Sequence, residues 1–239
     1  MAKDYSPRFN RLELLCPAGI ILAMADKVVL CVGTKRGLFV FTSTARRDRW
    51  ALHGPFLKGW QIYHATVDTR GTPRIHAAGY NGTFAATTFR GDIAGRKFEG
   101  AKKPPAPPKL LPKPLAFATK YGIPVSARVW HIEPGRASER GVLYAGTAPA
   151  ALFRSEDDGR TWHEVVSLTR HPTRKDWNPG AGGMCLHSIQ LDPLDGRRMY
   201  VGISAAGVFR TDDGGRTWTP INRGVHKFVG APSSNSVGT

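Results

Sequence analysis

Short apolar runs recur along the chain, each closed by turn-forming residues and followed at once by a second run. Val28-Val29-Leu30-Cys31-Val32-Gly33-Thr34 precedes Gly37-Leu38-Phe39-Val40-Phe41, and Ile75-His76-Ala77-Ala78-Gly79 precedes Thr83-Phe84-Ala85-Ala86-Thr87. Further on, Val142-Leu143-Tyr144-Ala145-Gly146-Thr147 precedes Ala151-Leu152-Phe153-Arg154, and Met199-Tyr200-Val201-Gly202-Ile203 precedes Gly207-Val208-Phe209-Arg210. Runs this short, rich in β-branched and aromatic residues, predict antiparallel strands joined by tight turns. No apolar stretch approaches the ~18 residues of a membrane-spanning helix.

Two of the units share a turn almost residue for residue. Ser155-Glu156-Asp157-Asp158-Gly159-Arg160-Thr161-Trp162 matches Thr211-Asp212-Asp213-Gly214-Gly215-Arg216-Thr217-Trp218. The common pattern is Ser/Thr-x-Asp-x-Gly-x-Thr-Trp. A short carboxylate at Asp157 or Asp213 can accept backbone N–H groups inside a hairpin. Gly159 or Gly215 can take the positive φ that the turn needs. Trp162 or Trp218 opens the next strand and buries a large ring between sheets. Ser155, Asp157, Gly159, Trp162, Thr211, Asp213, Gly215 and Trp218 are therefore read as structural, and neither aspartate as catalytic. The turn decays to Gly91-Asp92-Ile93-Ala94-Gly95-Arg96-Lys97-Phe98 in an earlier unit.

Each unit also has a candidate innermost strand with a histidine near its start. These are Tyr63-His64-Ala65-Thr66-Val67, Trp130-His131-Ile132-Glu133 and Leu186-His187-Ser188-Ile189, with a fourth at Val225-His226-Lys227-Phe228-Val229. The first unit has no such strand in front of Val28. Repeated four-stranded units predict an all-β fold, a β-propeller of four-stranded antiparallel blades. Residues 25–229 would hold about four blades plus one strand, an incomplete propeller. Residues 1–24 read as a disordered or weakly signal-like extension, 99–126 as a solvated Pro/Lys-rich loop and 230–239 as a disordered tail. The cysteine count is odd, three, without a Cys-x-x-Cys pair. That argues against a disulfide framework and for a cytoplasmic location. Export through the N-terminal segment is the alternative.

The chain resembles the BNR (Asp-box) repeat propellers, uncharacterised bacterial proteins described as sialidase-like or glycosyl-hydrolase-like. The resemblance covers residues 24–228. It rests on the two Asp boxes, Val32-Gly33-Thr34-Lys35-Arg36-Gly37-Leu38-Phe39-Val40, Leu143-Tyr144-Ala145-Gly146, His171-Pro172-Thr173-Arg174 and Gly182-Gly183-Met184-Cys185-Leu186-His187-Ser188-Ile189. Family members are longer, so the chain reads as shortened at its C-terminus. The resemblance implies Asp boxes on the outer rim, away from an axial site. It does not imply one reaction, because the box occurs in glycosidases and in binding proteins alike.

Charge narrows the partners. The formal net charge is +16, which favours an anionic ligand, a glycan or an acidic protein surface. The basic residues are scattered and no nucleic-acid-binding pattern accompanies them, so specific nucleic-acid binding is not expected. Loops entering the innermost strands carry the candidate ligand-binding residues: Trp60, His64, Arg128, Trp130, His131, Glu133, Arg174, Trp177 and His187. Aromatic faces and guanidinium forks suit sugars and carboxylates. The plainer alternative has the tryptophans filling inter-blade space and each histidine bonding nearby backbone. Neither a metal nor another cofactor is expected. A sialidase reading needs three arginines, and Arg36, Arg128 and Arg174 can supply them. It also needs a Tyr–Glu pair and an acid, whereas Glu133 is the best channel-side carboxylate and no partner for it can be placed. Three readings follow, in this order: a non-catalytic ligand- or protein-binding propeller, an exo-sialidase-type glycoside hydrolase, and a nonfunctional fragment of a longer propeller protein.

Overall fold

The computed structural model describes residues 27–93, 97–106, 128–177, 183–204 and 206–224. They form four antiparallel sheets, each with strands ordered as they occur in the chain. The first blade holds β1 (Lys27–Thr34), β2 (Gly37–Thr44) and β3 (Ala51–Phe56). The second holds β4 (Gln61–Asp68), β5 (Arg74–Asn81), β6 (Ala85–Asp92) and β7 (Phe98–Gly100). The third holds β8 (Arg128–Pro134), β9 (Leu143–Ala148), β10 (Leu152–Ser155) and β11 (His163–Glu164). The fourth holds β12 (Leu186–Leu191), β13 (Met199–Ile203), β14 (Gly207–Thr211) and β15 (Thr219–Pro220). A single-turn helix α1 (Val166–Thr169) and a 3-10 turn (Pro172–Asp176) lie between the third and fourth blades. No described helix is long and apolar enough to cross a membrane.

Three blades are four-stranded and the first is three-stranded among the described residues, as its missing innermost strand predicts. The strand expected at Val225–Val229, the extension 1–24 and the tail 230–239 lie outside the described residues. The Pro/Lys-rich loop needs a correction at its start. Ala101 N–H donates to Thr88 O at 2.8 Å, Lys102 and Lys103 N–H donate to Arg160 O, and Trp162 N–H donates to Lys103 O at 3.1 Å. Pro105 is buried. This stretch is not a solvated linker; it straps the second blade to the turn of the third. Its backbone donors and acceptors found partners there that composition alone does not show.

The core lies in three joints between blades. Val29, Leu38 and Val40 of the first blade meet Ile62, Ile75, Ala77 and Phe89 of the second. Ala78 and Ala86 meet Val129, Ile132, Leu143, Ala145, Phe153 and Trp162 of the third. Tyr144 and Leu152 meet Leu186, Ile189, Met199, Val201 and Phe209 of the fourth. Alternation along each strand gives a blade one row for its predecessor and one for its successor. Glycine makes two of these joints close. A Cβ on Gly33 would sit 2.6 Å from Ile62 O, and one on Gly146 would overlap the Leu186 carbonyl.

An arginine bridges each of the two later joints. Arg70 is gripped by Asp68 at 2.6 Å and donates to Glu139 O and Val142 O of the next blade, each at 2.8 Å. Arg136 repeats the arrangement one blade on, donating to Asp195 O at 3.3 Å and Arg198 O at 2.6 Å. The strand pairs Pro134–Leu143 and Leu191–Met199 set the counterpart of Arg136 in the fourth blade at Pro193, and the pair Val67–Ile75 sets that of Arg70 at the exposed Leu194.

Candidate functional site at the innermost strands

The three described innermost strands all bulge near their start. The pairing slips between Ile62 and His64 in β4, between Val129 and His131 in β8, and between Leu186 and Ser188 in β12. One extra residue bends a strand and re-aims its side chains. The bulged residues are Tyr63, Trp130 and His187, and the residues after them are His64, His131 and Ser188. The histidines therefore do not share one strand position: His187 stands where the other blades carry Tyr63 and Trp130. Sequence spacing hides this because the fourth blade has its histidine one residue early.

His64 and His131 meet across the second joint, ring centroids 4.3 Å apart. Ile132 N–H donates to His64 Nδ1 at 3.2 Å, so that nitrogen carries no proton. Burial, and then the nearby His131, push the His64 pKa down to about 3. His131 Nε2 lies 3.1 Å from Glu133 Oε2. Beside this pair, the Tyr63 and Trp130 rings stand 5.0 Å apart. The Arg128 guanidinium lies 5.5 Å from the Tyr63 ring centre and 5.4 Å from that of Tyr80, within cation–π range of both. Arg128 Nε and Trp130 Nε1 are buried, and neither has a hydrogen-bond partner. Buried donors are normally paired. These two are among seven buried side-chain atoms without a partner in the described residues, and they are the two that lie together in this cluster.

Five of the nine expected residues thus come together: His64, Arg128, Trp130, His131 and Glu133. Tyr63 and Tyr80 join them and were missed. Tyr63 had a signal, because it precedes His64 as Trp130 precedes His131. The other four residues are used elsewhere. Trp60 packs edge-on against Phe89 at 4.8 Å and stacks with the exposed Phe84 at 6.2 Å. Arg174 donates to Ala150 O at 2.8 Å and lies 4.6 Å over the Trp177 ring. Burial lowers its pKa, against an opposing pull from Glu164. Trp177 is buried against Phe209 and donates from Nε1 to Thr173 Oγ1 at 3.0 Å. This pair holds the 3-10 turn onto the third and fourth blades. His187 is exposed and bonds Ser188 Oγ at 2.8 Å.

The repeated turns keep their carboxylates to themselves. Asp157 Oδ1 accepts Thr161 N–H at 2.8 Å and Ser155 Oγ–H at 2.8 Å, and Oδ2 accepts Thr161 Oγ1–H at 2.7 Å. Asp213 does the same with Thr217 and Thr211. Gly159 and Gly215 have φ of +79° and +90°. Burial works to raise the Asp157 carboxyl, yet the Thr161 and Ser155 hydrogen bonds hold it below the usual range. The Thr217 hydroxyl and N–H hold Asp213 far below that range. Trp162 Nε1 reaches back to Thr88 Oγ1 at 2.9 Å, and Trp218 Nε1 to Ser167 Oγ at 3.2 Å.

Asp68, His76 and Asp158 form a group whose ligand atoms lie within 4.8 Å of one another. It borders a cleft of about 370 Å³ that Arg70, Arg74, Arg140 and Arg160 also line. Arg70 pairs with Asp68, while Arg74 and Arg90 pair with Asp158 at 3.1 and 3.2 Å. Both carboxylates already hold positive charge, so the group is an ionic joint between blades and a poor host for a cation. Cys31 offers no nucleophile: burial pushes its thiol up to about 12.

The crystal structure of a GH74 xyloglucanase from Xanthomonas campestris matches 81% of this chain and 27% of its own, with a TM-score of 0.54 at 16% identity. The fold is a β-propeller. A GH74 enzyme from Niastella koreensis matches 79% of the propeller chain and 28% of its own, with a TM-score of 0.49 at 15% identity. YCF48 bound to D1 peptide covers 81% and 77% respectively, with a TM-score of 0.36 at 12% identity. The propeller chain thus spans about a quarter of the length of the GH74 chains. No family model and no curated sequence matches it.

Proposed function

We propose that this propeller is a non-catalytic binding module, and that the bulges of β4 and β8 hold an acidic, oxygen-rich ligand such as a carboxylate-bearing glycan. One observation carries the reading. The Arg128 guanidinium is flanked by two tyrosine rings, and its Nε and the Trp130 Nε1 beside it are both buried without a hydrogen-bond partner among the described residues. A carboxylate accepting from the guanidinium and a hydroxyl accepting from the indole would satisfy both. The aromatic faces suit the apolar face of a sugar ring. The two Ser/Thr-x-Asp-x-Gly-x-Thr-Trp turns support placing the chain among the BNR-repeat propellers. The quarter-length match to the GH74 chains also fits part of a longer propeller protein.

Exo-sialidase chemistry has less support. Paired-carboxylate glycoside hydrolysis needs a second acidic group across the scissile bond, and the described cluster brings Glu133 alone. Calorimetric titration of the full chain with acidic and neutral oligosaccharides tests the binding reading. Acidic ligands should bind, and Arg128→Ala should weaken them at least about tenfold without lowering the melting temperature. Equal binding of neutral ligands, or an Arg128→Ala variant as tight as the parent, would rule the reading out.

A further inference from the structure

Among the described residues, the first and fourth blades each have one face with no neighbouring blade. In blades two to four, the row facing the preceding blade is buried: Ile75, Ala77 and Phe89, then Leu143, Ala145 and Phe153, then Met199, Val201 and Phe209. The strand pairings place Leu30, Val32 and Phe39 at the matching positions of the first blade. Phe41 and Leu52 extend that row, because Leu30 pairs with Phe41 and Phe41 with Leu52. The row is only partly covered: Leu30 is 40% exposed, Leu52 57% and the adjoining Trp50 41%, while Val32, Phe39 and Phe41 are half-buried and Val28, at the end of the row, is buried. Adjoining exposed apolar side chains of this kind often mark an interaction surface.

The opposite face of the fourth blade is only partly covered among the described residues. Tyr144 and Leu152 of the third blade are buried against the fourth. Their counterparts Tyr200 and Val208 are only partly buried, and Ile221 beside Val208 is 37% exposed. Gly202 repeats Gly33 and Gly146, yet the nearest atoms a Cβ there would meet belong to Ser188 and His187 of its own blade. Leu194 is 95% exposed, at the position from which Arg70 reaches the following blade and next to that from which Arg136 does.

These two faces are the two halves of the joint that the chain builds three times internally. We propose that they pair between two copies, the first blade of one against the fourth of the other, closing a head-to-tail ring of eight blades. The occupant of each open face is then a second copy of this chain. Eight blades fall within the range that propellers close. A head-to-tail contact has different surfaces on its two sides, so it must close into a ring or grow without limit. The inference does not depend on the ligand reading above.

Light scattering on the size-fractionated full chain tests it, across a concentration series. The expected mass is twice the 26.1 kDa of one chain. Leu52→Glu and Val208→Lys should each give monomers with the parent's circular dichroism and an intact melting transition. Mixing the two variants should restore pairs, because one joint is then wild-type on both sides and the other opposes Glu to Lys. A monomeric parent, an open-ended polymer, or variants that keep the parent mass would each overturn the ring. So would a mixture that fails to recover, which is the result for a contact using the same face on both copies.

Discussion

Asp157 and Asp213 anchor their own turns through Thr161 and Thr217, so their removal acts on stability and not on binding at the innermost strands. Asp157→Ala should lower the melting temperature while leaving ligand affinity within error, and a matched loss of affinity would contradict this placement. His64 gives a pH signature. Its pKa falls from 6.5 to about 3 on folding, so the folded state resists a proton that the unfolded state accepts. Its stabilising contribution is whole above pH 6.5 and is lost as the pH falls toward 3. Between those limits it adds about 1.4 kcal/mol per pH unit to the slope of stability against pH. Denaturant titrations of the parent and of His64→Gln should differ by a slope of that order, with the parent the steeper. At this scale the sequence was informative about chemistry and less so about company. Arg128, Trp130 and His131, which it offered with His64 as ligand-binding candidates, lie beside His64 in the fold. It also nominated Arg174 and Trp177, whose stacking on each other depends on a 3-10 turn that no residue pattern announces.

Strands and their order were legible because each blade repeats the same apolar rows and turn residues. The bulges were not. A bulge adds one residue on one side of a ladder, and the sequence around Leu186-His187-Ser188 fits equally well with the histidine before or after it. Joint packing was likewise hidden, since Gly33 and Gly146 read as ordinary strand ends until Ile62 and Leu186 are seen lying on them. Gly146→Ala should therefore force the third and fourth blades apart, at a cost of about 1–3 kcal/mol in chemical denaturation. Gly196, with open space around it, should tolerate the same change. Trp162→Ala removes a buried ring and its bond to Thr88 across the second joint, and should cost about 3–5 kcal/mol.

Over the whole molecule, the formal charge of +16 raises the local concentration of any acidic ligand. Affinity for such a ligand should fall with added salt, and a salt-independent affinity would remove electrostatics from the account. The joints themselves differ in kind. Arg70 and Arg136 fasten the second blade to the third and the third to the fourth by charged donors on backbone carbonyls. The described residues of the first joint show apolar packing without such an arginine. Pulled from its two ends, a single chain should therefore yield in unequal steps. The first blade peels away at low force. The remaining three then hold until the arginine fastenings shear together, so a force–extension trace would show a short early plateau followed by one tall rupture.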